Sequence, residues 1–476
     1  MMAGRLEVER WGIFEREFAG PSDGNPFKEV RLSARFQYRN RIVEIDGFYD
    51  GDGTYRLRFM PDQPGEWRFV TSSNAPALDG LRGEFVCTAP TPTNHGPVKV
   101  AGTYHFRYAD GTRYLPFGTT CYHWTHAMEE TQERLTLEAL AGSAFNKVRM
   151  CLLPTGGMTP PLLAFEGDTP GQLDKTRFNP AFFAHVERRL DDLLALGIEA
   201  DLILFHPYDK GHWGVDNMTR EEDTYFLRYV LARLGAYRNV WWSLSNEYDF
   251  NTFKSIEDWD HLLRFVQHHD PYQRLRSIHN GTKMYLSSHL YDFTKPWITH
   301  QSVQHWDAAL TESWLASCAK PVVIDEISYE GDITRRWGNI TGQELTHRFW
   351  QGMAAGGYVG HGECFADRPS GPWISKGGEL YGDSPERIAF LRRIMEEAPA
   401  DWIEARRLGT YLLDYLGAGQ QAYHEVELPD GVDYHVDLID AWEMTVTPAG
   451  THSGRCRIDL PGRPYLALRF RAASSL

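Results

Sequence analysis

The stretch Trp241-Trp242-Ser243-Leu244-Ser245-Asn246-Glu247-Tyr248 joins a short apolar run to an Asn-Glu pair. An apolar run of this length, bounded by polar residues, is typical of a buried β-strand. A carboxylic acid at the end of such a strand is well placed for proton transfer. Further along the chain, residues 321–327 form a second apolar run that contains Glu326 near its end. The two glutamates are therefore a candidate acid and base pair.

The segment around these two runs alternates short apolar strands with amphipathic helical stretches, which indicates parallel βα units. Eight strands are predicted, at residues 114–121, 145–153, 199–205, 240–245, 275–279, 297–304, 322–325 and 357–362. The helical pattern is clearest at residues 182–196, 224–237, 259–268 and 385–397. We therefore predict the α/β class, with a (β/α)8 TIM barrel at residues 98–400.

Both flanks of this segment show the period-two alternation of apolar and polar residues that favours antiparallel sheets. In the N-terminal flank, alternating runs at residues 30–36 and 55–59 are separated by turn signals such as Asp50-Gly51-Asp52-Gly53. Alternation returns after residue 407. We predict β-sandwich domains at residues 1–92 and 405–476, with a Pro-rich linker at residues 88–93.

Composition narrows the class of protein. The chain has 476 residues, of which 42% are hydrophobic, enough for two or three domains. Its formal charge of -15 argues against nucleic acid or an anionic membrane as a partner. The N-terminus lacks a signal-like apolar region, and the six scattered cysteines favour free thiols, so a cytoplasmic location is expected. Homo-oligomerisation through the flanking domains stays open.

Active-site residues of a (β/α)8 barrel project from the C-terminal ends of the strands. The polar, aromatic and acidic residues there, or in the long loop after strand eight, are His123, Trp124, Arg149, His206, Asn246, Glu247, His279, Gln304, His305, Glu326, Glu363 and Trp373. Glu247 and Glu326 follow the fourth and seventh strands, nearly opposite each other on the ring. We predict these two as catalytic and the other ten as substrate-binding.

Each of these residues also has a plainer interpretation. A strand-end glutamate can be a loop or cap residue, a histidine a hydrogen-bonded structural group, and a tryptophan part of the core. Arg149 lies inside an apolar run, where burying its charge requires a carboxylate partner, and Glu326 is the expected one. The histidines show no zinc-binding spacing, so neither a metal nor another cofactor is predicted.

The strand-end motifs resemble glycoside hydrolase clan A and, more narrowly, its apiosidase-like branch. The resemblance is carried by residues 118–124, 145–149, 242–248 and 326–331, and Ser245-Asn246-Glu247 at the end of strand four is its most specific part. It implies that Glu247 is the acid/base and Glu326 the nucleophile. It further implies that Asn246 holds the sugar 2-hydroxyl and that Arg149 orients the nucleophile.

The chain departs from the clan pattern at two strand ends. The tyrosine that many members carry after strand six is replaced here by Gln304, His305 and Trp306. Strand eight ends in Glu363 and Cys364, where a tryptophan is common. These departures bear on which sugar is bound, since they leave the two glutamates unchanged.

We therefore expect a retaining, exo-acting glycoside hydrolase that removes a terminal sugar by double displacement. Burial near Trp241 and Trp242, together with the charge of Glu326, should raise the pKa of Glu247. Large insertions at residues 154–176 and 364–383 should wall a pocket, which favours exo-action over endo-cleavage. The alternatives are a non-catalytic carbohydrate-binding protein on a barrel scaffold and a metal-dependent barrel hydrolase.

Overall fold

The structure, a computed structural model, describes residues 6–281, 290–405 and 409–473. Two sheets and one short helix, Pro26–Glu29, form the N-terminal part. In spatial order the strands are Glu7–Glu9, Arg82–Thr88, Gly65–Ser73, Leu32–Tyr38 and Arg41–Asp46 in one sheet, and Phe14–Ala19, Thr54–Phe59 and Phe48–Tyr49 in the other. Phe36 of the first sheet stacks on Phe59 of the second in a shared aromatic core, with ring centroids 4.2 Å apart. Its boundaries as a separate domain stay a prediction.

A three-stranded antiparallel sheet follows and plugs one end of the barrel. Its strands are Val98–Ala101, His105–Tyr108 and Arg113–Tyr114. The Phe106 ring packs against Trp241 at 5.2 Å and Tyr358 at 5.5 Å between centroids. The prediction of one strand over residues 114–121 is therefore wrong in its first half. Pro116, which has no N–H to donate, separates the two pieces.

Eight parallel strands form the barrel. In chain order they are Gly118–Thr120, Lys147–Cys151, Glu199–Phe205, Val240–Ser245, Arg276–Ser277, Gln301–Gln304, Val322–Glu326 and Tyr358–His361. Successive strands pair in parallel, the first strand also pairs with the eighth, and one bridge between His279 and Ser302 joins the fifth and sixth. The predicted TIM barrel is confirmed.

The helices of the barrel and its loops are Glu130–Ala141, Pro180–Ala195, Arg220–Leu234, Ile256–His269, Thr311–Ser317, Gly342–Ala354, Trp373–Lys376, Ser384–Glu397 and Ala400–Ala405. Several begin before the predicted apolar periodicity does. The reason is capping: Asn179, Thr219 and Ser255 accept backbone N–H groups at helix starts. No helix in the three described ranges is long and apolar enough to cross a membrane.

The C-terminal part is again built of strands. Its four-stranded sheet is ordered Tyr411–Tyr415, Leu466–Ala472, Tyr434–Asp440 and Thr445–His452, beside the pair Tyr423–Glu427 and Arg455–Asp459. Trp350 of a barrel helix stacks on Tyr415 at 5.5 Å between centroids. The sheet therefore packs on the outside of the barrel, through one of its helices.

Candidate active site

Glu326, the last residue of the seventh strand, lies buried among positive and hydrogen-bonding groups. Its Oε1 is 3.2 Å from Nη1 of Arg149 and 3.4 Å from Nε2 of His279, and it accepts the hydroxyl hydrogen bond of Tyr122. Burial alone would raise the pKa of Glu326, but the charges and hydrogen bonds of these neighbours outweigh it and lower the pKa. Glu326 is therefore ionised over the physiological pH range.

Glu247, two residues beyond the fourth strand, is half-buried, and its hydrogen-bond partners are neutral. Its Oε2 accepts a hydrogen bond from the hydroxyl of Tyr208 at 2.8 Å, and its Oε1 accepts one from Nε2 of Gln304 at 2.9 Å. Burial raises the pKa of Glu247, and the negative charge of Glu326 raises it further. Glu247 is thus the proton-carrying member of the pair.

The side chain of Gln304 connects the two carboxyl groups. The same Nε2 atom lies 2.9 Å from Oε1 of Glu247 and 2.5 Å from Oε2 of Glu326. Oε1 of Glu247 and Oε2 of Glu326 therefore cannot be farther apart than the sum of these two distances. A ligand seated beside the pair would be able to contact both carboxyl groups at once.

The backbone at Glu247 is left-handed, with φ at 40°. This region is unfavourable for a residue with a side chain, and such strain is commonly concentrated at functional sites. Glu247 precedes the single turn Tyr248–Phe250, which turns the chain sharply after the strand. Gly281 makes room for it, because a Cβ there would lie 2.5 Å from Cγ of Glu247. The acid is thus held by backbone geometry as well as by hydrogen bonds.

Asn246 connects the surroundings of the two glutamates. Its Oδ1 accepts a hydrogen bond from Nη2 of Arg149 at 2.9 Å, and its Nδ2 donates one to the hydroxyl of Tyr208 at 2.5 Å. Arg149 binds Glu326, and Tyr208 binds Glu247. Asn246 therefore contacts one hydrogen-bond partner of each glutamate.

A charged layer in the barrel interior supports the site from below. Lys147 bridges Asp201 at 2.6 Å and Asp325 at 2.7 Å, and all three are buried. Burial alone would raise the pKa of Asp325, but Lys147 and neighbouring cations lower it. Ser302 donates a hydrogen bond to Asp325 at 2.5 Å and lies 3.0 Å from Nδ1 of His279. The imidazole beside Glu326 is thereby held in place.

Two predicted sugar platforms are not available to a ligand. Trp124 is fully buried and packs beside the guanidinium of Arg189, 5.1 Å from the ring centroid. Trp373 is 1% exposed, and its indole N–H donates to Oγ1 of Thr119 at 2.7 Å. The prediction of substrate contact is wrong for both rings, because hydrophobic packing takes up the faces that a sugar would need.

His206 supports the site without facing a ligand. Its Nε2 lies 2.9 Å from the Leu153 carbonyl, its Nδ1 accepts the backbone N–H of Tyr208 at 3.2 Å, and the two rings stack. Burial lowers the pKa of His206, so the ring is neutral and suited to these roles. It therefore positions the tyrosine that binds Glu247.

The other three predicted residues make hydrogen bonds with the loops around the site. His305 Nδ1 accepts the N–H of Asp307 at 3.1 Å, and Glu363 accepts that of Tyr381 at 2.8 Å. Burial lowers the pKa of His123 to about 3, and its backbone N–H donates to the Ser375 carbonyl at 2.6 Å. Their hydrogen bonds join parts of the loops around the site.

Three tyrosines complete the site and were not predicted from sequence. Tyr122 and Tyr208 bind Glu326 and Glu247, and the hydroxyl of Tyr329 lies 3.3 Å from that of Tyr122. Each follows a barrel strand, so position along the chain was a usable signal. Tyr122 donates to Glu326 a phenol hydrogen bond. The sequence has no tyrosine directly after strand six to do so.

No group of three or more His, Cys, Asp or Glu side chains within the described ranges is arranged to hold a metal ion. The ion pairs beneath the site place lysine and arginine among the carboxylates, where they would repel a cation. The chemistry that these residues themselves support is therefore proton transfer and nucleophilic attack by carboxyl groups.

Family models match three parts of the chain. The family model described as the apiosidase-like catalytic domain matches residues 101–363. Two domains of unknown function, DUF5060 and DUF5605, match residues 7–74 and 401–471. No curated protein matches the chain.

Among solved structures, a candidate glycoside hydrolase from Bacteroides vulgatus is 38% identical, with a TM-score of 0.90, over 98% of this chain and 100% of that one. A family 5 glycoside hydrolase from the same organism shares the fold at 14% identity and a TM-score of 0.64, over 81% of this chain and 96% of its own. The catalytic-domain match covers more than half of the chain. The protein belongs to the apiosidase-like family and has a glycoside hydrolase fold.

Proposed function

We propose that the protein is a retaining, exo-acting glycoside hydrolase, with Glu326 as nucleophile and Glu247 as acid/base. The observation that carries the proposal is the contact of one Gln304 amide with two carboxyl groups whose pKa values are shifted in opposite directions. Glu326 is kept ionised and Glu247 is kept protonated, and both lie within hydrogen-bond distance of the same amide nitrogen. Such a pair fits the division of labour between nucleophile and acid.

In the first step, a carboxylate oxygen of Glu326 attacks the anomeric carbon while the bond to the leaving oxygen breaks. Glu247 gives its proton to that oxygen. In the second step, Glu247 takes a proton from water as the water attacks the anomeric carbon and displaces Glu326. Arg149 and Tyr122 stabilise the carboxylate that is released.

The closeness of the two carboxyl groups supports retention of configuration. Retaining enzymes hold their carboxyl groups about 5 to 5.5 Å apart, whereas inverting enzymes leave about 6.5 to 9.5 Å for a water molecule. Here a single nitrogen lies within hydrogen-bond distance of both groups. A nucleophilic role for Glu326 fits this spacing better than a role as base toward a distant water.

The loops after strands two and eight support exo-action. The first carries the hairpin Phe165–Glu166 and Asp174–Phe178, and the second the short helix Trp373–Lys376. Ile374 of that helix accepts the backbone N–H of Tyr122 at 2.8 Å, so the loop is fastened beside the site. Ordered loops of this size enclose a pocket for a terminal sugar.

The test is hydrolysis of a panel of aryl glycosides, which includes an apioside because of the family's name. Proton NMR then identifies the anomer released first. We expect the anomer of the substrate's own configuration, turnover that chelators do not affect, and no turnover by Glu326→Ala. An inverted first product would overturn retention. Sugar binding without turnover across the panel would favour the non-catalytic alternative.

A further inference from the structure

Exposed aromatic rings are concentrated on one face of the barrel. Among the described residues, every exposed Phe or Trp side chain lies in a loop that follows a barrel strand. Phe250 and Phe253 follow strand four, Trp306 follows strand six, and Trp337 follows strand seven. Phe250 is 47% and Phe253 is 58% exposed. Large apolar groups left in water at a site rim commonly contact a ligand.

The two phenylalanines line a pocket of about 530 Å³ beside the proposed acid. Its wall also includes Glu247, Tyr208, Lys210 and Asn251, whereas Glu326 does not line it. An acid in a retaining glycosidase contacts the oxygen that leaves, and the nucleophile lies on the side of the sugar that stays. The pocket therefore lies on the leaving-group side.

Hydrogen bonds hold the backbone of the loop that carries the two rings. Phe250 ends the turn that begins directly after Glu247. Asn251 donates a hydrogen bond from Nδ2 to the Asp216 carbonyl at 3.0 Å, and its Oδ1 accepts the N–H of Phe253 at 2.9 Å. A pre-formed apolar surface binds a flat ligand at low entropic cost.

Most polar groups of the pocket are engaged already, and the ammonium group of Lys210 is an exception. The Tyr208 hydroxyl binds Glu247 and Asn246, and both ends of the Asn251 amide bind backbone. Asp216, also in the wall, accepts the Gly211 N–H at 3.1 Å. A sugar in this pocket would lose water from its hydroxyls and find few new partners, which is costly. A planar apolar group would lose little.

We propose that Phe250 and Phe253 form the binding platform for a planar aromatic aglycone, so that the natural substrates are glycosides of phenolic compounds. This inference rests on the proposed function, because it takes Glu247 as the acid that meets the leaving oxygen. To that function the inference adds the chemical class of the leaving group.

The test compares leaving groups on one sugar that the wild-type enzyme hydrolyses. The 4-methylumbelliferyl group of the aryl glycoside is expected to fill the pocket. The fluoride ion that leaves a glycosyl fluoride is too small to reach the rings. We expect Phe250→Ala and Phe253→Ala each to lower kcat/KM for the aryl glycoside about fivefold, from lost apolar contact. The kcat/KM for the glycosyl fluoride should change less than about twofold. Tyr423→Ala, an exposed aromatic residue of the C-terminal sheet, is the matched control.

Equal losses on the aryl glycoside and the fluoride would show a structural role for the rings and overturn the platform. No loss on either substrate would overturn it as well. A disaccharide with the same loss as the aryl glycoside would show that the pocket takes a sugar instead. If the wild type hydrolyses no glycoside, the proposed function fails separately. Fluorescence titration with 4-methylumbelliferone then tests the platform alone, with weaker binding expected in both variants.

Discussion

The two glutamates have the same side chain but opposite electrostatic surroundings. Glu326 faces Arg149, His279 and the Tyr122 hydroxyl, whereas Glu247 faces the neutral groups of Tyr208 and Gln304. Burial favours the protonated form of both acids, and only beside Glu326 do the charges and hydrogen bonds of the neighbours reverse this effect. The comparison shows that a site can divide two chemical roles between identical residues through their neighbours alone.

Removing Glu326 is expected to have the largest effect. Glu326→Ala should lower kcat by about 10⁴-fold or more, because no group remains to form the covalent intermediate. Steady-state kinetics on an aryl glycoside measures the loss. Azide should restore turnover with a glycosyl azide of inverted configuration. Glu312→Ala, an exposed carboxylate on helix Thr311–Ser317, is the control, and equal loss there would contradict a specific role.

Removing the acid, Glu247, should have an effect that depends on the leaving group. Glu247→Ala is expected to lower kcat/KM about 10²- to 10⁴-fold for a poor leaving group, since general acid catalysis is lost. A dinitrophenyl glycoside, whose phenolate leaves without a proton, should be affected far less. Equal losses on both substrates would assign Glu247 some role other than acid.

Weakening the stabilisation of Glu326 should shift the acid limb of the pH profile. Tyr122→Phe removes a hydrogen bond that lowers the pKa of Glu326, so that pKa should rise. Because Glu326 must be ionised, activity should then be lost at a higher pH on the acid side, with kcat falling about tenfold. The pH dependence of kcat/KM measures this. Tyr423→Phe should leave the acid limb unchanged.

The smallest expected effect comes from the residue shared by both glutamates. Gln304 donates a hydrogen bond that lowers the pKa of Glu247, which burial and Glu326 raise to about 7. Glu247 must be protonated, so wild-type activity should fall as the pH rises through this value. Gln304→Leu should raise that pKa and move the alkaline limb to higher pH. An alkaline limb that moves downward would contradict the assignment.

The sequence was sufficient to predict the barrel and to name Glu247, Glu326 and Arg149, which lie close together in the structure. Glu247 and Glu326 end apolar runs that only a parallel barrel brings together, and Arg149 needs a buried partner that Glu326 provides. These are long-range consequences of simple local patterns. Apolar runs predict strands well, although Pro116 shortens the first.

The sequence could not rank the aromatic residues at the strand ends. Trp124 and Trp373 were predicted as sugar platforms but are buried, whereas Phe250 and Phe253 are exposed beside the acid. Burial depends on packing against helices and loops that are distant in the chain, which a strand-end position does not encode. Tyr208 was missed although its position after strand three was a usable signal; its contact with Glu247 depends on a loop that turns the hydroxyl back toward the acid.

The division of roles between the two glutamates is tested most directly by trapping the covalent intermediate. The enzyme is treated with a 2-deoxy-2-fluoro glycoside, with a good leaving group, of a sugar that it hydrolyses. Mass spectrometry of the digested protein then locates the adduct. The account predicts a single sugar on Glu326 and none on Glu247. An adduct on Glu247, or complete turnover of the fluorosugar with inversion and no adduct, would contradict it.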